Sequence, residues 1–396
     1  MSNAARHHAL ALFSLASLAA FGTEPEETGT PSPSLNHRLL PSLIAEYVPD
    51  SGERFPARFG LPILNGVAAL RPDLDDLEEP PPDPQWPGPM AKNAIYFGGT
   101  DCGRFIPESL ILNDGVRPDV LLITQNALAD NRYLEMLRHR LSGKCRIPHE
   151  TDLREAFNTF AQEVKSGRRP DHGGLAIEED GKVSVTGSLA VMEINGILAK
   201  WIFDHNRGSH PFYVEESYAI PWMYDHLSPH GLIMKLNAKT VGRFPARLLR
   251  SDQDFWDWQT RRLLDDPLFC RRRAERMRFF SWQEGEEWEE HRVACRAFSK
   301  LRCAIAGLYA KKGLVHESKA AFHEALALDP QSPEALGRYL QECLLPQRRL
   351  GLAQELLEHR LRVNPNDPSA KAWLDAIRPY REPANGPRAL PGRAGG

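Results

Sequence analysis

The hydrophobic pattern changes character once the chain passes Asn237. From residue 91 to about 240, short apolar runs of strand length alternate with helical stripes, whereas only helical patterns follow. Strands that alternate with helices are typical of an α/β domain, and consecutive helices are typical of an all-α array. The pattern therefore predicts an α/β domain with a small mixed or parallel sheet at residues 91–240, followed by connecting helices at 241–298 and further helices beyond.

Two strand–turn–helix units open the predicted α/β domain. The first consists of Ala94–Phe97, a turn at Gly98–Asp101 and a short helix at Pro107–Asn113, with the proline in its first turn. The second begins with the β-branched run Asp119–Thr124 and continues into an apolar helical stripe around residues 133–141. Such a repeated unit predicts a parallel pair of strands with a right-handed crossover.

The rest of this domain is predicted to add two helices, a hairpin and two closing strands. Apolar stripes predict helices around residues 153–164 and 194–202. Asp180-Gly181 before residues 182–185 predicts a hairpin. The runs Phe212–Val214 and Leu232–Leu236 predict strands that complete the sheet.

The last quarter of the chain repeats itself with a spacing of 35 residues between Pro330 and Pro365. Its small, aromatic and apolar positions match the offsets of tetratricopeptide units, in which small residues let two helices pack closely. The first unit carries Ile305, Ala306, Tyr309, Phe322 and Ala325, and the second Leu336, Tyr339, Leu340, Ala353 and Leu357. Residues 299–377 are therefore predicted to hold two tetratricopeptide repeats and a capping helix. Tyr309 and Tyr339 fall on successive first helices, which makes them candidates for binding a protein partner.

Two segments ahead of the α/β domain carry their own signals. Arg6 and two histidines precede the apolar run Ala9–Ala20, and this arrangement is typical of a signal peptide at residues 1–22. It predicts export, to the periplasm or the extracytoplasmic side of a membrane; the alternative is a small amino-terminal helix. The run is too short to span a bilayer. The Pro-rich, acidic tract at 23–90 and the tail at 378–396 are predicted to be largely disordered.

The charge balance and the cysteine spacing limit the kinds of ligand and partner that the sequence predicts. Lys and Arg number 49 against 52 Asp and Glu, so no global positive field predicts nucleic acid as a partner. An arginine-rich stretch at 271–278 runs directly into an acidic one at 284–290, which predicts a self-paired helical surface. The six cysteines contain no CxxC pair, and neither a metal nor another cofactor is predicted.

Ligands of parallel sheets bind beyond the carboxyl ends of the strands. The predicted rim comprises Gly98, Gly99, Thr100, Asp101, Arg104, Gln125, Asn126 and Asp130. Its glycine turn and Arg104 suit an anion, although glycines at such a position also serve turn geometry alone. A metal site at Asp204, His205 and His210 with Glu215 and Glu216 is an alternative, as is an acid–base set of Glu215, Glu216, Asp225 and His226.

Three stretches around this rim resemble a known family. They are residues 94–105, AIYFGGTDCGRF, residues 115–126, GVRPDVLLITQN, and residues 130–134, DNRYL. They are similar to the soluble carboxy-terminal region of multi-spanning type C glycosyltransferase-like proteins, a family that includes an animal protein O-mannosyltransferase and bacterial members that often end in tetratricopeptide units. The resemblance covers roughly Pro81 to Ile377.

The resemblance implies a recognition or accessory role more than catalysis. Family members carry their catalytic acid between amino-terminal membrane helices, and this sequence shows no such helices, so no catalytic residue carries over. We expect a non-catalytic extracytoplasmic module of a glycosyl-transfer system, with a membrane glycosyltransferase as one potential partner. The alternatives are a fragment of such a transferase and an enzyme that uses the rim around Asp101, Arg104 and Asn126.

Overall fold

The computed structural model describes residues 59–69, 80–99, 102–170, 175–177, 183–215, 220–264 and 286–378. They form two compact units that divide between Pro330 and Gln331. The division falls inside the predicted repeat region, so the helices up to residue 330 belong to the same unit as the α/β domain. The predicted signal peptide at 1–22 and residues 379–396 of the predicted tail lie outside the described residues.

The first unit is built on a mixed sheet of five strands in the order β2-β1-β5-β7-β6. Strand β1 pairs in parallel with both β2 and β5, and the remaining pairs are antiparallel. The bounds are β1 Ile95–Gly98, β2 Leu121–Thr124, β5 Phe212–Val214, β6 Leu227–His230 and β7 Ile233–Leu236. The predicted hairpin is the separate antiparallel pair of β3 Leu175–Ile177 and β4 Val183–Val185. A small mixed sheet is thus confirmed, with β6 as a strand that the sequence pattern did not predict.

Helices surround this sheet. In the first unit they are α1 Leu61–Asn65, α2 Cys102–Leu112, α3 Asn131–Arg140, α4 Glu150–Lys165, α5 Ser188–Asn206, α6 Ala246–Leu264, α7 Glu286–Lys311 and α8 Val315–Leu328. The three parallel strands are buried at every position, because helices cover both faces of a parallel sheet.

Helix α2 is longer than predicted, because it begins at Cys102 and contains Pro107 in its interior. Proline has no N–H, so the carbonyl of Gly103, four residues earlier, lacks its usual helical donor. The hydroxyl of Tyr96 on β1 donates to that carbonyl oxygen at 2.5 Å. A side chain of the sheet therefore satisfies the backbone group that the proline leaves open.

The tract before residue 91 is folded in the parts that the structure describes, so the prediction of a largely disordered linker is wrong there. Helix α1 buries Ile63 and Leu64, and the Val67 amide donates to the Pro87 carbonyl at 2.8 Å. Arg117 ties this segment to the domain by donating to the carbonyls of Leu64 (3.0 Å) and Met90 (2.9 Å). Apolar residues scattered among the prolines bury enough surface to order this segment, although its proline content alone predicts disorder.

A buried cluster of charges links α6, α7 and α8. Arg302 donates from Nη1 to Asp252 at 2.9 Å and from Nε to Glu324 at 2.6 Å. The hydroxyl of Tyr309 donates to the same Asp252 carboxylate at 2.6 Å, and the guanidinium lies 5.1 Å from the Trp256 ring centroid. We call these five residues the Arg302 cluster. Helices α7 and α8 also bury the predicted packing positions, Ile305, Ala306, Phe322 and Ala325.

The second unit is helical. It contains α9 Pro333–Arg338, a π-helical continuation at Tyr339–Leu344, α10 Leu350–Val363 and α11 Pro368–Ile377. Ser332 and Asp367 cap α9 and α11 by accepting from backbone amides at 3.1 and 3.0 Å. Helix starts and stops therefore fall at the proline-containing turns that the sequence predicted.

Candidate functional site

Three neighbouring parallel strands end level with one another at one edge of the sheet. Gly98 at the end of β1 pairs with Thr124 at the end of β2, and Glu215 after β5 donates its amide to the Phe97 carbonyl at 2.9 Å. We define the strand-end rim as Gly98, Gly99, Thr124, Gln125 and Glu215. The structure thus brings the predicted turns after β1 and β2 together, whereas Thr100 and Asp101 lie outside the described residues.

Glu215 is the rim residue that sequence reasoning misplaced. Its side chain is 1% exposed, and its Oε2 accepts from the Gly99 amide at 3.0 Å. A Cβ at Gly103 would lie 2.5 Å from the Glu215 Cγ, so α2 crosses the carboxylate at a glycine. The sequence signal was available, because Glu215 directly follows the strand predicted at Phe212–Val214.

Arg104 is a structural residue rather than an exposed anchor for an anion. It is 7% exposed, and its Nη1 donates at 2.8 Å both to Glu108 and to the Thr124 hydroxyl. Gly98 is needed for this packing, since a Cβ there would lie 2.7 Å from the Arg104 side chain. The burial of Arg104 argues against its predicted role in anion binding, and Gly98 serves close approach to α2 rather than a positive φ.

Gln125 is the least satisfied side chain of the rim. It is 1% exposed, and among the residues that the structure describes neither its Oε1 nor its Nε2 has a hydrogen-bond partner. Asn195 shows the usual alternative: its Oδ1 accepts from the Ala129 amide at 2.7 Å and its Nδ2 donates to the Asn126 carbonyl at 2.9 Å. Buried amide groups in native proteins almost always have partners, and those that lack a protein partner bind water or a ligand. Gln125 is thus the rim side chain whose polar atoms the described residues leave unmatched.

The other predicted residues after β2 hold the loop in shape. Asn126 contributes the carbonyl that Asn195 binds, and Asp130 caps α3 by accepting from the Arg132 amide at 2.8 Å. Asn195, on α5, therefore fixes the loop that carries Gln125. The sequence did not single it out, because its role depends on a contact between distant segments.

Electrostatics keep two tyrosines near the rim protonated. Burial, assisted by the negative charge of Glu215, raises the pKa of Tyr96 well above its usual value. Burial also raises the pKa of Tyr133, whose oxygen accepts from the Thr124 amide at 2.6 Å. Both hydroxyls remain neutral hydrogen-bonding groups at physiological pH.

The metal and acid–base constellations considered from the sequence are not assembled by the described residues. Asp204 pairs with Lys200 at 2.5 Å, and a ring nitrogen of His210 lies 2.8 Å from the Asn93 carbonyl oxygen. Nor do the described segments contain any group of three or more side chains placed to hold a metal ion. Glu216 lies outside the described residues, and His226 lies 2.8 Å from the Asn237 carbonyl oxygen.

Tyr309 and Tyr339 do not present their rings to a partner, contrary to expectation. Each is 2% exposed, and the Tyr309 hydroxyl is bound within the Arg302 cluster. Burial raises the pKa of Tyr339 to about 12. Their spacing indicates two packed helical units, and aromatic residues at such positions fill the helix interface.

Comparison with other proteins adds no relative to this picture. Among the described helices, none combines the length and apolar composition that crossing a bilayer requires. Protein-family models, curated proteins and solved structures were all compared with the chain, and none matches it.

Proposed function

We propose that the protein is a non-catalytic, extracytoplasmic recognition module of a glycosyl-transfer system. In this proposal the strand-end rim binds a sugar-containing ligand, and the helical region with its tetratricopeptide-like spacing binds a protein partner, for which a membrane glycosyltransferase is one candidate. The resemblance of the residues around the rim to the soluble region of type C glycosyltransferase-like proteins supports the link to glycosyl transfer.

The observation that carries the proposal is the unsatisfied amide of Gln125 at the end of β2. An amide offers a donor and an acceptor together, and a sugar hydroxyl both donates and accepts, so the two are complementary. Glu215 adds a buried carboxylate at the same edge, separated from Gln125 by one strand, or about 10 Å. An amide and a carboxylate at this separation suit a ligand with several hydroxyl groups.

The placement of Arg104 favours recognition over chemistry. The enzyme alternative requires this arginine to reach a substrate, whereas its guanidinium is buried against Glu108 and Thr124. Without Arg104 the buried Glu108 carboxylate would keep only the more distant cation of Arg140, whose Nη1 lies 3.6 Å away. The side chain therefore stabilises the packing of α2 on the sheet.

A glycan array followed by calorimetric titration tests the rim. We expect the wild-type protein to bind a subset of oligosaccharides, and Gln125→Met to lose that binding while remaining folded. Gln162→Met, at an exposed position of α4, is the matched control and should bind as the wild type does. No binding across the array, or equal binding by Gln125→Met, would refute the role of the rim. Mass spectrometry of the incubated ligand separates the alternatives, because a cleaved or extended glycan would establish the enzyme instead.

Export is tested separately in the native host. Amino-terminal sequencing of the mature protein should start after residue 22, as processing of the apolar amino-terminal segment predicts. Mature protein that retains Met1 in the cytoplasm would contradict the extracytoplasmic location, and would leave the ligand test of the rim unaffected.

A further inference from the structure

A cavity lies in the first unit between the end of α3, the turn before α4 and the end of α5. Its volume is about 390 Å³, and its lining residues are Arg138, Cys145, Arg146, Ile147, His149, Trp201 and His205. Cavities that bind small molecules begin at about 300 Å³. We call this cavity the basic groove, and it shares no residue with the strand-end rim.

The groove is lined by cations and by no carboxylate among the described residues. The acidic side chains that flank it are engaged elsewhere. Asp204 pairs with Lys200, Glu150 pairs with Arg154 at 3.0 Å, and Asp152 accepts from the His149 amide at 2.7 Å. The two arginines of the groove therefore face an opening that suits an anion. Guanidinium groups bind phosphate by two parallel hydrogen bonds, which makes phosphate the best fit.

Neighbouring groups orient the guanidinium of Arg138 and hold the backbone of Arg146. Arg138 donates from Nη1 to the Pro148 carbonyl at 2.5 Å, which orients its guanidinium and leaves further N–H groups for a ligand. The backbone of Arg146 is clamped by the Asn206 amide, with hydrogen bonds of 2.7 and 2.9 Å. Cys145 adds no opposing charge, because burial raises the pKa of its thiol to about 11.

An aromatic stack forms the other side of the groove. The imidazole of His205 lies on the indole of Trp201, with ring centroids 3.8 Å apart and planes 21° apart. A ring nitrogen of His205 lies 2.7 Å from the Trp201 carbonyl oxygen, which fixes the orientation of the imidazole. His205 is exposed, so a planar ring from a ligand can extend the stack. Such base-on-aromatic stacking tolerates different bases, because every base has a π-face.

We propose that the basic groove binds a phosphorylated ligand with a planar ring, of which a nucleoside monophosphate is the smallest example. The phosphate contacts Arg138 and Arg146, and the ring stacks on the Trp201–His205 pair. The inference does not depend on the sugar-binding proposal, since the two sites are built from different residues.

Calorimetric titration of the full chain with GMP, guanosine and inorganic phosphate tests this site. We expect GMP to bind, and guanosine and phosphate each to bind more weakly by about tenfold or more, because each lacks one of the two contacts. Arg146→Glu should weaken GMP binding by about tenfold or more. Arg132→Glu makes the same change of charge at an exposed position of α3 outside the groove, and it should leave the affinity for GMP unchanged.

A second variant isolates the stacking contact. His205→Ala should weaken GMP binding by about tenfold and leave phosphate binding unchanged, because only the base, and not the phosphate, stacks on this ring. All three positions are exposed, so thermal unfolding should confirm that the variants fold as the wild type does. The proposal is overturned if the folded wild type shows no binding at about 10 mM GMP, a Kd too weak for a built site. It is equally overturned if phosphate binds as tightly as GMP, or if Arg146→Glu and Arg132→Glu bind alike.

Discussion

Replacing Gln125 by methionine should stabilise the protein, although most substitutions in a core destabilise it. The wild-type amide is 1% exposed, and neither of its polar atoms has a partner in the described part of the chain. Leaving a buried polar group unpaired costs about 1–3 kcal/mol, and methionine keeps the chain length while removing both polar atoms. We therefore expect the free energy of unfolding to rise by about 1–3 kcal/mol. The gain should appear as a higher urea midpoint at an unchanged slope.

Asn195→Leu is the matched control for this effect. It also exchanges a buried amide for an apolar side chain of similar shape, but it removes bonds to the Ala129 amide and the Asn126 carbonyl. Two orphaned backbone groups should cost about 2–6 kcal/mol, at about 1–3 kcal/mol each. If Gln125→Met loses stability as Asn195→Leu does, the Gln125 amide is bonded to a structural water. The argument that it awaits a ligand would then be refuted.

Three further predictions concern the framework around the site. Tyr96→Phe should lower the free energy of unfolding by about 1–3 kcal/mol through the orphaned helix carbonyl, and by less in a Pro107→Ala background that restores the helical donor; equal losses in both backgrounds would contradict this pairing. Burial, with a smaller contribution from a nearby lysine, lowers the pKa of His230 to about 4. The free energy of unfolding, measured by urea titration, should therefore be highest above pH 6.5 and fall by about 3 kcal/mol as the pH drops towards 4. A His230→Gln variant with the same pH profile would count against this assignment. Arg302→Met should lower the free energy of unfolding by about 3–5 kcal/mol, because it leaves the Asp252 carboxylate buried without its cation. Adding Asp252→Leu should recover part of this loss. A double variant as unstable as Arg302→Met would show that the loss comes from packing.

The local pattern was sufficient for most of the sheet and for the helices that pack on it. Short apolar runs form strands β1, β2, β5 and β7. Such runs can bury their side chains as strands in the sheet, which makes other secondary structures unfavourable. Strand β6 escaped prediction because it contains Pro229, which breaks the local signal but is tolerated at the edge of a sheet. Helix α2 was predicted too short because the acceptor left open by Pro107 is satisfied by Tyr96, which lies on the preceding strand and forms no part of the helical pattern.

The rim was located more accurately than its chemistry was. Parallel pairing of β1 and β2 is a local inference, and it placed Gly98 and Gln125 at one edge. Which charges stay exposed depends instead on packing between distant segments. Arg104 is buried because it meets Thr124, and Glu215 joins the rim because β5 returns next to β1.

The Arg302 cluster determines where the chain can be divided without separating buried charges from their partners. The sequence pattern predicts a boundary at residue 298 between connecting helices and repeats, and such boundaries are natural points for recombination. A break there would part Asp252 from Arg302 and leave its buried carboxylate without a cation, whereas Arg302 would keep Glu324. The cluster therefore couples α7 and α8 to α6 as one folded unit. The second compact unit begins only after Pro330, so α7 and α8 are not part of it.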